Sequence, residues 1–95
     1  MDKEVVLVRR LRSDLLRWVP VIERSTGSKV TVQCEGPQLV LVATWNNKNY
    51  KKTLTREVLF GRTIVMAPEA RALQQRPCQY ARAFIRDLLE QRGVI

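Results

Sequence analysis

Histidine does not occur in this chain, which removes both the commonest general base and the commonest metal ligand from the chemistry open to it. Cysteine occurs twice, at Cys34 and Cys78, too few for a four-ligand zinc site and without CxxC spacing. Cys78 follows Pro77 at the expected start of a helix, yet no patterned base accompanies it to make a nucleophile. The carboxylates Asp14, Glu57 and Asp87 fall on different segments and show no paired spacing that would suggest hydrolysis. No catalytic residue, metal site or cofactor is expected, and the chain reads as a non-enzyme.

Long apolar runs are missing as well. The longest is five residues, Leu39 to Ala43, against the roughly 20 that a membrane-spanning helix needs. Asp2 and Glu4 stand where a secretory leader would carry basic residues, so neither a signal peptide nor a membrane span is expected. The two thiols are then expected to be free in a reducing compartment, and a cytoplasmic location follows. Glycine and proline are scarce, four of each, so residues 1–95 are expected to form a single small basic domain and not a disordered tail. A domain of this size buries roughly 60 to 65% of the surface that its unfolded chain exposes, which leaves little core to spare.

Positive charge is what the chain has in excess. Lysine and arginine number 17 against nine aspartates and glutamates, a formal charge of +8 that favours an anionic partner. Twelve of those cations are arginine, whose planar fork suits phosphate oxygens and base edges.

Steps of three and four between Val8, Leu11, Leu15, Trp18 or Val19, and Ile22 predict an amphipathic helix from Val8 onward. Pro20 lacks an N–H and would clash with the preceding turn, so the helix is expected to break near Arg17 and restart with Pro20 in a first turn. The face opposite the apolar stripe collects Arg9, Arg10, Ser13, Arg17 and Arg24 without an acidic residue among them. Alternation over Lys29 to Glu35 predicts a half-buried strand, Gly36-Pro37 a turn, and Leu39 to Ala43 a central strand apolar on both faces.

After a turn at Asn46-Asn47-Lys48-Asn49, Tyr50 to Thr55 gives a third strand of an antiparallel meander. Residues 56–67 are open between one helical turn capped by Thr55 and a short fourth strand at Thr63 to Met66. Pro68 and Glu69 suit a helical first turn, and a closing helix is expected from about Pro77 to Arg92, with Tyr80, Ala81, Phe84, Ile85 and Leu88 as its stripe. The fold class is α+β, an antiparallel three- to four-stranded sheet flanked by an N-terminal and a C-terminal helix. Two helices leave one face of so apolar a central strand uncovered, which makes a homodimer an expectation.

No acidic side chain occurs between Glu35 and Glu57. Inside that window lie Trp45, Asn47, Lys48, Asn49, Tyr50, Lys51, Lys52 and Arg56, which combine mobile charges, amide donors and flat aromatic faces on one short hairpin. With Arg9, Arg10 and Arg17 they form the candidate nucleic-acid-binding set, and the expected function is noncatalytic binding of DNA or RNA through backbone charge. Each element also has an ordinary reading. Edge lysines discourage aggregation, aromatic residues pair across strands, and a basic helix face keeps a protein soluble. The closing helix is of that kind, since Arg82 and Arg86 alternate with Asp87 and Glu90 at helical spacing. The alternative function uses the same cations for a protein partner: a small regulator or inhibitor that targets an acidic or nucleic-acid-binding surface.

Overall fold

The structure is a computed structural model and describes residues 2–61 and 72–94. Its first helix, α1 (Lys3–Leu16), begins five residues before the apolar repeat does, because the Asp2 side chain accepts a hydrogen bond from the Glu4 N–H at 2.9 Å and caps it. The expected break is present. Arg17 closes α1, and α2 (Val19–Thr26) starts with Pro20 in its first turn, where a missing N–H costs nothing. Gly27 ends α2 at φ +68°, a left-handed position that residues with a side chain rarely adopt.

Three strands follow, β1 (Lys29–Glu35), β2 (Gln38–Trp45) and β3 (Lys48–Leu54), paired antiparallel in that order. The second turn is tighter than the polar run suggests. Asn46 and Asn47 both have positive φ, 55° and 61°, the signature of a two-residue type I′ hairpin, so Lys48 and Asn49 belong to β3 and not to the loop. Replacing Asn47 by Ala is expected to cost about 1 kcal/mol, the left-handed penalty of an ordinary residue, while Asn47→Gly should be neutral or mildly stabilising. Urea midpoints of the two variants check this.

Beyond the sheet come the single turn α3 (Arg56–Phe60), capped by Thr55 as expected, and the closing helix α4 (Pro77–Gln91). The possible fourth strand at Thr63 to Met66 and the turn at Pro68-Glu69 lie outside the described residues.

One face of the sheet carries Val30, Val32, Cys34, Leu39, Leu41, Ala43, Tyr50, Lys52 and Leu54, as the register requires. That face meets α1 and α2 at β1, while Phe84 of α4 approaches Tyr50 with ring centroids 6.1 Å apart. Val8, Leu11, Leu15, Ile22, Leu59, Phe84 and Leu88 complete the buried core beneath it. The outer edge of β1 is closed by side chains: Glu23 accepts from the Val30 N–H at 2.9 Å, and Arg12 donates through Nε to the Val32 carbonyl at 2.9 Å. On the opposite face Val40 is already buried within the chain, at 2% exposure, and Val42 is half-buried. The apolar motive for a second copy on that face therefore shrinks to Val42.

Candidate nucleic-acid interface

The window that is free of acid in the sequence is not free of acid in space. Alternation places Lys52 on the helix-covered face of β3, where its ammonium pairs with Asp87 of α4. Arg56 pairs with Glu4 of α1, its Nε donating to one carboxylate oxygen at 2.9 Å while a terminal nitrogen lies 2.9 Å from the other, and the hydrogen bond is the main influence raising the guanidinium pKa. Tyr50 is half-buried against Phe84. These three residues are engaged within the fold, and Arg56 lies a full strand away from the turn, about 20 Å along β3.

Lys48, Lys51, Asn47 and Asn49 are exposed. The register adds a residue that the hairpin run does not contain: Lys29 stands opposite Thr44, which stands opposite Asn49, while Thr31, Val42 and Lys51 form the next row on the same face. The Thr44 hydroxyl donates to Asn49 Oδ1 at 2.8 Å, which fixes the amide and leaves its N–H groups to donate outward. Lys29, Lys48 and Lys51 have no ion-pair partner among the described residues. At this end of the open sheet face, then, Lys29 and Lys51 gather around threonine and asparagine, with Lys48 beside Trp45 on the other face of the same hairpin end, while Glu35 sits at the far end of β1.

Arg9, Arg10 and Arg17 are exposed on α1 and at its end. They belong to the helix layer, whereas Lys29 and Lys51 project from the other side of the sheet, so the structure does not merge the two expected patches into one.

Trp45 closes the arrangement. The guanidinium of Arg92, just past the end of α4, lies 4.2 Å from the Trp45 ring centroid and also donates to the Thr26 carbonyl and the Ser28 hydroxyl. Arg92 thereby ties the end of α4 to the α2–β1 loop and to the hairpin. Between the hairpin and the end of α4 lies a pocket of about 320 Å³, lined by Ala43, Trp45, Lys48, Asn49, Tyr50, Gln91 and Arg92. Trp45 remains 38% exposed at its wall.

Lys29, Gln91 and Arg92 are absent from the expected set. Strand pairing brings in the first, and a helix ending 46 residues after Trp45 brings in the others, as Gln91 lines the pocket. Both cysteines are free thiols. Burial raises the Tyr80 phenol pKa, with the Gln75 backbone opposing it, so the phenol is neutral near pH 7. Among the described residues no group of three or more His, Cys, Asp or Glu is placed to hold a metal ion, and no helix is long and apolar enough to cross a membrane. The chain matches no protein-family model, no curated protein and no solved structure.

Proposed function

We propose that the protein binds nucleic acid without catalysis, by seating a phosphate backbone against the hairpin end of its sheet. One observation carries this reading. Internal ion pairs engage Lys52 and Arg56, yet Lys29 and Lys51 on the open face and Lys48 on the other stand exposed at the hairpin end with no such partner among the described residues.

A lysine kept only to blunt a sheet edge would need no companion. Here Lys29 comes from the edge that Glu23 and Arg12 already close, so the cluster spans the sheet and is not confined to its open margin. Lysine meets phosphate as a mobile point charge, and the amide and hydroxyl groups between the lysines suit phosphate and sugar oxygens. Arg9, Arg10 and Arg17 then act as a second, long-range attraction that raises the local concentration of a polyanion.

Fluorescence anisotropy with labelled DNA and RNA of unrelated sequence tests the proposal. Binding to all of them at low salt, with little preference among sequences, is the expected result. Failure to bind any of them at low salt would show that the cations serve a protein partner instead.

A further inference from the structure

We infer that the pocket beside the hairpin holds one unpaired nucleotide, and that the protein is consequently a binder of single strands in preference to duplexes; the inference rests on the nucleic-acid reading above. The pocket volume of about 320 Å³ admits one base with part of its sugar. Its wall carries the ring of Trp45 and the guanidinium of Arg92, both surfaces on which bases stack, with part of Tyr50 beside them. Gln91 adds a side-chain amide that donates and accepts, as the edges of bases require.

The pocket lies between the end of α4 at Gln91 and the Trp45 and Lys48 pair that flanks the hairpin turn. A tryptophan held in place by a guanidinium and left 38% exposed is available to a ligand in a way that Tyr50, packed on Phe84, is not. Lys48 lines the pocket while Lys51 projects from the other face of the same strand, so a backbone leaving the pocket passes from one cation to the next. A base within a duplex is stacked and paired on both sides and reaches such a pocket only by being flipped out, at a cost that an unpaired base does not bear.

The unmodified protein is titrated at one low salt concentration with oligothymidylate, with the same strand paired to oligoadenylate, and with thymidine monophosphate. The single strand is expected to bind roughly 5- to 150-fold more tightly than the duplex, the range that stacking of one base supplies. Trp45→Ala should bring the single strand down to the duplex affinity and leave the duplex unchanged.

Since Trp45→Ala also removes the seat of Arg92, a second measurement uses the intact protein: photocrosslinking of a strand carrying 5-bromouracil, followed by peptide mapping. An adduct on Trp45 or Tyr50 supports the inference. Equal affinity for strand and duplex, or adducts confined to other peptides, overturns it while leaving backbone binding in place. Thymidine monophosphate bound as tightly as the strand overturns the assignment to a polymer. Binding of none of the three probes removes the nucleic-acid reading itself.

Discussion

Arg92→Ala is expected to lower folding stability by about 2 to 3 kcal/mol, a large loss for a side chain at the end of the last described helix. The carbonyl of Thr26 is one of the acceptors left over at the C-terminus of α2, and Arg92 is the group that bonds it. The same guanidinium also donates to Ser28 and faces the Trp45 ring. A charged hydrogen bond contributes about 1.5 to 3 kcal/mol and a partly exposed cation–π contact about 0.5 to 1 kcal/mol, so the sum is taken near its lower end for a half-buried residue.

Urea unfolding should show a lower midpoint with an unchanged slope. Arg92→Lys should recover little, because an ammonium has no fork with which to reach two acceptors and an aromatic face together. An Ala variant within about 0.5 kcal/mol of the parent would mean that α4 is held by its apolar face and the Lys52–Asp87 pair without help from Arg92.

The second large effect concerns binding. Replacing Lys29, Lys48 and Lys51 together by Ala should leave stability within about 0.5 kcal/mol per site, since all three are exposed. For every lysine that no longer meets a phosphate, the slope of log affinity against log salt should become shallower by about 0.7 to 0.9. Between about 50 and 200 mM salt, the affinity of the parent should therefore fall roughly 20- to 40-fold more than that of the variant. Lys52→Ala is the informative contrast. It should disturb the ion pair with Asp87 and leave the salt slope near that of the parent. A slope change from Lys52→Ala equal to that of its neighbours would place the strand on the helix-covered side of β3.

Most of the fold could be read from local pattern. The Pro20 break, the alternation of β1 and the stripe of α4 each depend on residues within one or two turns of each other, and each is present. The hairpin was less legible. Its polar run looks like a four-residue loop, although two asparagines suffice to turn the chain once both take positive φ.

The candidate site depended on separations that no local window spans. Asp87 lies 35 residues from Lys52 and Glu4 lies 52 residues from Arg56, so an acid-free stretch of sequence concealed two ion pairs. Lys29 joined the site only through its register with Thr44 and Asn49, and Arg92 only through the packing of α4 on α2. The alternation of β3 did contain a usable signal. Leu54 is buried, so Lys52 and Tyr50 had to share its face, and Lys51 had to point away.

The hairpin end is held to bind through phosphate, and the salt dependence of the unmodified protein tests that most directly. Anisotropy titrations of a labelled oligothymidylate across several salt concentrations should give a straight line of log affinity against log salt with a slope of about −2 or steeper, as three lysine–phosphate pairs on a single strand require. A slope near zero, or no measurable binding at about 50 mM salt, would contradict phosphate binding and turn the same cations over to a protein partner.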